Sequence, residues 1–388
     1  MGVVGVVGAG AMGAGIAQVA LAHGHRVVIS DTFAPALATA RAEIERALTR
    51  QTEKGRLTRE EAADARSRLT LQDPSLGLQG MSGCEMVIEA IAERLDVKRA
   101  TFRSIEQVVG PACILATNTS SLSVASIGAA CEAPERVLGV HFFNPAPLMR
   151  LVEIIPGVRT SSEAVRTARA LVESWGKITV LASDTPGFVV NRIARPFYGE
   201  ALRIVEDGDA DPATVDWALR ARGFRMGPFE LMDFIGHDVN YVVTEAVWTA
   251  MYFDPRYRPS LMQKRLLESG LLGKKTGRGF YDYTEGALRP EPTRDEALAE
   301  RISRRVLAML VNEAVDAVYL RVATPADIEL AMTKGVNYPR GLLAWGNELG
   351  ASVVLEELER LRADTGDARY RPSQLLRRCV RDNHPLPQ

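Results

Sequence analysis

The first part of the chain alternates short apolar runs with longer segments of helical composition. Residues 2–7 form an apolar run rich in β-branched valine, which is typical of a buried parallel strand, and Arg26–Ser30 is a second such run. Between them, residues 14–22 have the composition of a helix, and Gly24 is suited to cap its carboxyl end. The pattern predicts a strand, a helix and a second strand at the start of the chain.

Further apolar runs continue this alternation as far as residue 184. They cover residues 86–91, 113–116, 137–143 and 178–181, with helical segments between most of them. Residues 35–68 are rich in Ala, Glu and Arg, and a break at residues 51–55 makes them a helical hairpin. We therefore predict an α/β, Rossmann-like, doubly wound sheet of about six to eight strands over residues 1–184, with the hairpin as an insertion.

A glycine-rich turn joins the first strand to the first helix. Gly8 allows the tight turn, Gly10 lets a pyrophosphate approach the backbone, and Gly13 lets the helix pack close to the strand. Asp31 follows at the end of the second strand, where a carboxylate accepts hydrogen bonds from the adenosine ribose. A 2′-phosphate would be repelled there, and no arginine follows in the next three residues. The motif predicts binding of NAD in preference to NADP.

Polar residues cluster where the later strands end, which is the side on which open α/β sheets bind ligands. They are Glu89 and Glu93, residues 118–121, and His141 with Asn144. An enzyme that oxidises an alcohol needs a base for the hydroxyl proton, and a neutral histidine oriented by a carboxylate suits this task. His141 and Glu153 supply the pair if the chain folds Glu153 back. A structural role for His141, and turn or cap roles for Asn118 and Ser120, stay open at this point.

Eight stretches of the chain together resemble the L-3-hydroxyacyl-CoA dehydrogenases of fatty-acid and related CoA-ester degradation. They occur in order along residues 1–283 and comprise residues 8–13, 87–93, 117–121, 141–147, 151–155, 184–192, 227–231 and 273–281. The resemblance implies that His141 is the general base, paired with Glu153. It also implies that Ser120 contacts the 3-oxygen of the substrate and that Asn191 helps to hold the substrate and the base.

The resemblance also implies contacts with the rest of the cofactor and with CoA. Glu93 and Lys98 correspond to an acid and a lysine near the nicotinamide ribose, and Lys275 to another lysine on the cofactor side. Lys54, in the helical hairpin, corresponds to a lysine that contacts CoA, whereas Ala47 stands where the family has a serine at the CoA. Asn144, three residues after His141 in the same motif, is a further candidate for substrate binding.

The rest of the chain predicts two tandem all-α domains. Residues 185–283 form the first, the proline-rich and charged residues 284–295 a linker, and residues 296–388 a second copy. Residues 211–218 resemble residues 324–331, and residues 257–260 resemble 370–373, both at an offset of 113. We expect the copies to form a pseudo-dimer within one chain, which leaves the protein a monomer or a weak homodimer. The second copy lacks the segment around Lys275, so we expect it to be structural.

Composition excludes several classes of protein. The 388 residues carry 47 Lys and Arg against 48 Asp and Glu, a formal net charge of −1, and 46% are hydrophobic, which argues against a nucleic-acid binder and against a disordered acidic chain. Four scattered cysteines and five histidines show no metal-site spacing, so we expect no metal and a reducing, cytoplasmic compartment. The uncharged residues 2–22 contain six glycines and lack a positive leader region, so we expect neither a membrane span nor a signal peptide.

The sequence therefore predicts an NAD-dependent oxidation of (S)-3-hydroxyacyl-CoA to 3-ketoacyl-CoA. Ala47 at the CoA contact keeps open a related dehydrogenase of a free hydroxy acid or sugar acid, such as a gulonate dehydrogenase. A non-catalytic NAD-binding protein is the third alternative. The length of the acyl chain stays open, and so does the choice between a simple and a dicarboxylic acyl group such as 3-hydroxyadipyl.

Overall fold

The structure, a computed structural model, describes residues 2–388 and consists of two compact units, one ending at Thr185 and the other covering residues 186–388. Within residues 2–388, no helix has both the length and the apolar composition needed to cross a bilayer.

The first unit is built on one eight-stranded sheet with the order β3-β2-β1-β4-β5-β6-β7-β8. The strands are β1 (Val3–Val7), β2 (Arg26–Ser30), β3 (Leu69–Leu71), β4 (Met86–Glu89), β5 (Ile114–Thr117), β6 (Val137–Phe142), β7 (Leu151–Pro156) and β8 (Ile178–Leu181). All neighbouring strands are parallel except β6 and β7, which are antiparallel. The predicted Rossmann-like sheet is confirmed.

Helices cover both faces of this sheet, so the strands are apolar on both sides. The helices are α1 (Ala11–Ala22), α2 (Ala34–Glu53), α3 (Arg59–Ser67), α4 (Leu95–Val108), α5 (Val124–Gly128) and α6 (Ser162–Ser174). The helical hairpin expected at residues 35–68 is α2 and α3. Helix α3 begins with a capping box, in which Thr58 and Glu61 each accept a hydrogen bond from the other's backbone N–H.

Sequence patterns missed two strands and misplaced two boundaries. Strand β3 has three residues, and β7 carries the charged Glu153 in its centre, so neither presents the apolar run that indicates a buried strand. Helix α1 begins at Ala11 rather than at residue 14, because the glycine-rich turn is tighter than we expected. Strand β4 ends at Glu89 rather than at residue 91.

The second unit is helical throughout. Its first part contains α7 (Val190–Ile193), α8 (Arg195–Glu206), α9 (Pro212–Ala221), α10 (Pro228–Ile235), α11 (His237–Ala250) and α12 (Leu261–Glu268). Its second part contains α13 (Glu296–Tyr319), α14 (Pro325–Gly335), α15 (Leu342–Leu349), α16 (Ala351–Thr365) and α17 (Gln374–Arg381). Residues 284–294, between the two parts, contain no helix or strand.

A buried carboxylate on α13 joins the two parts. Glu313 is fully buried and accepts hydrogen bonds from Arg192 Nε (2.7 Å), Arg256 Nη1 (3.0 Å) and the Tyr257 hydroxyl (2.5 Å), all from the first part. Burial raises the pKa of the Glu313 carboxyl, but the two guanidinium groups and the tyrosine outweigh this and hold the pKa below its usual value.

The same arrangement recurs with the two parts exchanged. Glu200, which precedes Glu313 by 113 residues, accepts hydrogen bonds from Arg305 Nε (3.1 Å), Arg369 Nη1 (3.4 Å) and the Tyr370 hydroxyl (3.0 Å), each 113 residues after its counterpart. Each contact between the two parts is thus repeated between the counterparts of the two residues, with the parts exchanged. Such reciprocal contacts are characteristic of a two-fold, isologous interface. Here both halves of that interface belong to one chain.

Candidate active site

The glycine-rich turn has the geometry that the sequence predicts. At Gly8, where φ is +104°, an added Cβ would lie 2.5 Å from the Ala90 carbonyl oxygen, and at Gly13 it would lie 1.9 Å from the Gly8 oxygen. At Gly10, in contrast, an added Cβ would meet nothing within 4 Å. Gly8 and Gly13 therefore shape the turn itself, whereas Gly10 leaves open space beside the backbone.

Asp31 anchors this turn through both carboxylate oxygens. Its Oδ2 accepts a hydrogen bond from the Ala9 N–H (2.7 Å), and its Oδ1 accepts one from the Phe33 N–H (2.9 Å). Helix α1 begins directly afterwards, with no side-chain cap at Gly10 and no acidic residue in its first turn, so its N-terminal N–H groups and positive dipole end are available to an anion. The open space at Gly10, the helix N-terminus and Asp31 together fit a dinucleotide.

Glu93 organises the loop that contains Ser120. One of its carboxylate oxygens, Oε1, lies within hydrogen-bond distance of the Thr119 hydroxyl (2.5 Å), the Ser120 N–H (3.0 Å) and the Ser121 N–H and hydroxyl (3.2 and 3.0 Å). Burial raises the pKa of Glu93, but the charge of Lys98 and these hydrogen bonds more than compensate and lower it overall. Glu93 therefore stays ionised and fixes the backbone at Ser120.

Lys98 is buried behind this loop. Its side chain is 1% exposed, and its ammonium group lies 2.6 Å from Glu89 Oε1 and 3.2 Å from Glu93 Oε2. The other oxygen of Glu89 accepts a hydrogen bond from the Thr117 hydroxyl (2.8 Å). The contacts of Glu93 and Lys98 with the nicotinamide ribose stay predictions; the geometry gives both residues a second task in holding the ends of β4 and β5 together.

Asn118 joins the end of β5 to the end of β6. Its side-chain oxygen accepts a hydrogen bond from the Phe142 N–H at 2.8 Å. A few residues later, at the start of α5, the Ser123 hydroxyl and the N–H groups of Val124 and Ala125 donate hydrogen bonds to the carboxylate of Asp184. The sequence did not single out Asp184 as a partner of this turn, and its distance of some 60 residues along the chain explains why.

His141 and Glu153 face each other across the antiparallel strands β6 and β7. They are a directly opposed pair in the register, and His141 Nδ1 lies 2.6 Å from Glu153 Oε2. The residues are 5% and 0% exposed. A carboxylate beside Nδ1 holds the proton on that nitrogen in the neutral ring and leaves the lone pair on Nε2. The arrangement can accept a proton at Nε2 and stabilise the imidazolium that forms.

The segment after His141 returns against the nucleotide-binding helix. An added Cβ at Gly15 of α1 would lie 3.2 Å from Pro147 and 3.3 Å from Ala146, so the two pack closely. Lys177 fixes the same segment by donating hydrogen bonds to the Ala146 oxygen (2.6 Å) and to the Met149 oxygen (2.8 Å). Burial lowers the pKa of Lys177 to about 8. Asn144, within this segment, is exposed.

Three further residues were predicted to contact CoA, cofactor or substrate. One is in the helical hairpin of the first unit, and the other two are in the second unit. Lys54 is exposed at the carboxyl end of α2. In the second unit, Lys275 forms an ion pair with Asp238, and the side-chain oxygen of Asn191 lies 3.5 Å from Arg195 Nη2. Their contacts with CoA, cofactor and substrate stay predictions.

Family models match almost the whole chain. The model of the NAD-binding domain of 3-hydroxyacyl-CoA dehydrogenase matches residues 3–185, and the model of the C-terminal domain of the same enzyme matches residues 187–283 and 302–385. The chain belongs to the 3-hydroxyacyl-CoA dehydrogenase family. The predicted family, enzyme class and NAD cofactor are confirmed, and the two C-terminal segments support the predicted duplication.

Individual relatives are of two lengths. A 3-hydroxyadipyl-CoA dehydrogenase from Escherichia coli (strain K12) is 38% identical over 96% of both chains. A crystal structure described as 3-hydroxybutyryl-CoA dehydrogenase from Escherichia coli K12 covers 98% of this chain and 99% of its own, with 36% identity and a TM-score of 0.91. A probable 3-hydroxybutyryl-CoA dehydrogenase from Deinococcus radiodurans is 40% identical but covers 72% of this chain and 99% of its own length.

Proposed function

We propose that this member of the family oxidises the 3-hydroxyl of an (S)-3-hydroxyacyl-CoA to a ketone with NAD, using His141 as the general base and Glu153 to orient it. The observation that carries the proposal is the buried 2.6 Å contact between His141 Nδ1 and Glu153 Oε2 at the ligand-binding edge of the sheet. NAD supplies the acceptor for the hydride that leaves C3 of the substrate.

The proton from the hydroxyl passes to His141 Nε2. Glu153 keeps the Nδ1 proton in place and stabilises the imidazolium that forms when the proton is transferred. A positioned general base contributes on the order of 10²–10⁴ in rate. Because both groups lie on paired strands, the ring is held by the sheet rather than by a loop.

The remaining predicted residues bind the reactants. Ser120 presents its hydroxyl to the 3-oxygen from a backbone whose N–H lies 3.0 Å from a Glu93 oxygen. Asn191 helps to hold the substrate and the base, and Asn144 contacts the substrate. Lys54, on the helical hairpin, meets the CoA phosphates. On the cofactor side the contacts come from Gly10, the α1 N-terminus, Asp31, Glu93, Lys98 and Lys275.

The test is an NADH-coupled assay of the purified protein with acetoacetyl-CoA, compared with free acetoacetate and with a sugar acid. We expect turnover of the CoA ester and at least about 10²-fold less with either free acid. Substitution His141→Ala should lower kcat by about 10²–10⁴ while NADH binding, followed by fluorescence, is retained. Near-normal kcat in this variant, or preference for a free acid, would overturn the proposal.

We further propose three domains, at residues 1–184, 185–283 and 296–388, and a protein that is monomeric or weakly dimeric. The reciprocal contacts of Glu200 and Glu313 support this, since one chain already contains both halves of an isologous interface. Sedimentation equilibrium at low micromolar concentration is the test, and a tight dimer would contradict it. The four cysteines are buried free thiols, which supports a reducing, cytoplasmic compartment.

A further inference from the structure

A cavity of about 250 Å³ lies between helices of the second part of the helical unit. It is lined by one face of α13 between residues 300 and 308, by Trp345 and Leu349 of α15, and by Val353 and Val354 of α16. All residues of its lining belong to one compact unit. Because native interiors contain few voids larger than a water molecule, a space of this size calls for an explanation.

The inner part of the cavity is apolar. Its lining includes Leu307 and Ala308 from α13, together with Trp345 and Val354, and all four side chains are buried. An apolar cavity of about 150 Å³ is large enough to bind benzene. On that scale, a cavity of about 250 Å³ accommodates roughly ten carbon atoms.

The wall that Trp345 provides is held in place by two neighbouring side chains. Phe224 stacks on the indole ring with the ring centroids 5.6 Å apart, and the Arg340 guanidinium lies 5.6 Å from the centroid of the same ring. A side chain that is already ordered loses little conformational entropy when a ligand binds. The apolar part of the cavity is therefore preformed.

Charged groups line the cavity one helical turn nearer to the start of α13, and positive charge is in excess there. Glu300 forms an ion pair with Arg222, and its Oε1 lies 3.5 Å from Arg304 Nη2. Among residues 2–388, no second carboxylate lies within ion-pair distance of either guanidinium. The three side chains are about half exposed and together carry one net positive charge. This end of the cavity is suited to an anionic group, because two guanidinium groups share one carboxylate.

The first copy of the helical domain does not carry this combination of residues. At the offset of 113, the counterparts of Glu300, Arg304 and Ala308 are a glycine, an asparagine and an arginine, at positions 187, 191 and 195. The charged pair is thus specific to the second copy, which also has a small alanine where the first copy has a long side chain. Because the same helical unit folds with other residues at these positions, folding alone does not explain them.

We infer that this cavity is a binding site for a medium-chain carboxylic acid. The alkyl chain lies against Leu307, Ala308 and Trp345, and the carboxylate lies at Arg222 and Arg304. A carboxylate accepts two parallel N–H bonds from a guanidinium and supplies the counter-charge that Glu300 alone does not provide. The inference goes beyond the proposed function, which assigns no role to any of these residues, and it gives a binding role to the copy that was expected to be structural.

The test is calorimetric titration of the whole protein with sodium octanoate, in the presence of saturating NAD and acetoacetyl-CoA. Both of these are in the oxidised state, so they occupy their own sites without turnover. We expect octanoate to bind with a Kd of roughly 10⁻⁴ M, and octanol and acetate at least about tenfold more weakly. Arg304→Gln, which leaves Arg222 and Glu300 as a neutral pair, should weaken octanoate binding about tenfold. Arg301→Gln, at an exposed arginine of α13 outside the lining, is the matched control and should leave the Kd unchanged.

A second variant tests the apolar part of the site. Leu349 is 37% exposed, so Leu349→Asp is compatible with folding, and the new carboxylate should repel octanoate and weaken its binding at least about tenfold. Three outcomes would overturn the inference: octanoate that does not bind once acetoacetyl-CoA is present, octanol that binds as tightly as octanoate, or a Kd that neither Arg304→Gln nor Leu349→Asp changes. None of these outcomes affects the proposed oxidation, which the NADH-coupled assay tests separately.

Discussion

Replacing Glu153 by glutamine tests the catalytic pair most directly. The substitution keeps the size of the side chain and an oxygen that can accept the hydrogen bond from His141 Nδ1, but it removes the negative charge. Glu153 is fully buried and opposed to His141 across two paired strands, so neither water nor a neighbouring chain segment can take its place easily. The change should therefore act on the imidazolium that forms during proton transfer and hardly on the binding of NADH.

The distance between the two groups gives the magnitude. With Nδ1 2.6 Å from Oε2, the centres of the imidazolium and carboxylate charges lie about 4 Å apart. At the effective dielectric constant of roughly 20 that describes protein sites, such a pair attracts by about 4 kcal/mol. At 1.36 kcal/mol for each factor of ten, the loss amounts to about 10³-fold in the rate of the chemical step.

The assay is kcat for oxidation of a 3-hydroxyacyl-CoA with hydrogen or deuterium at C3. An isotope effect shows that hydride transfer limits the rate, which is necessary for the comparison. The rate of the chemical step should fall in Glu153→Gln, because no negative charge then stabilises the imidazolium that forms. Glu106→Gln, at a carboxylate of the same unit that pairs with Arg136, is the control and should leave this rate unchanged.

A Glu153→Gln variant with kcat within tenfold of wild type would refute this reasoning. A fall in kcat that is accompanied by an equal loss of NADH affinity would point to a structural role for Glu153 instead.

Gly10→Ala should weaken NADH binding in a fluorescence titration with little change in melting temperature, whereas Gly13→Ala, whose Cβ would lie 1.9 Å from a carbonyl oxygen, should destabilise the fold; equal effects of both would contradict the roles assigned here. In the folded protein the pKa of Lys177 is lowered from 10.5 to about 8. Between these pH values the unfolded chain therefore binds more protons than the folded protein. The free energy of unfolding should therefore rise with pH across that interval, and urea titrations of Lys177→Met should show a smaller slope. Glu313→Gln leaves the two buried guanidinium groups of Arg192 and Arg256 to share one remaining carboxylate, that of Asp316, and should cost about 3 kcal/mol of unfolding free energy in urea, while KM for NAD changes little.

The nucleotide-binding half of the site could be predicted because it is local in sequence. Gly8, Gly10 and Gly13 lie in one turn, and Asp31 ends the adjacent parallel strand, so spacing alone determines their arrangement. The partner of His141 was harder to place. Glu153 was found by residue type, but its position depends on β7 running antiparallel to β6, and a six-residue strand with a buried glutamate does not present a strand pattern.

Lys98 shows that residue type alone does not predict whether a charged side chain is exposed or buried. A lysine near the cofactor is expected to be exposed and to donate to it, and the sequence contains nothing that indicates otherwise. The structure buries its ammonium group between Glu89, the last residue of β4, and Glu93, in the loop that follows this strand. Whether a charged side chain points outward or inward depends on the packing of α4 against the sheet, which spacing does not encode.

The buried ion pairs of the helical unit could not be predicted from the sequence for a different reason. The offset of 113 relates the two sets of contacts to each other but does not identify either set. In an isologous interface each contact implies a second one between the counterparts. Once Glu313 is known to accept from Arg192, the offset requires that Glu200 accept from Arg305, and it does. The first contact, however, cannot be derived from the repeat, since the offset relates equivalent positions and not opposed ones.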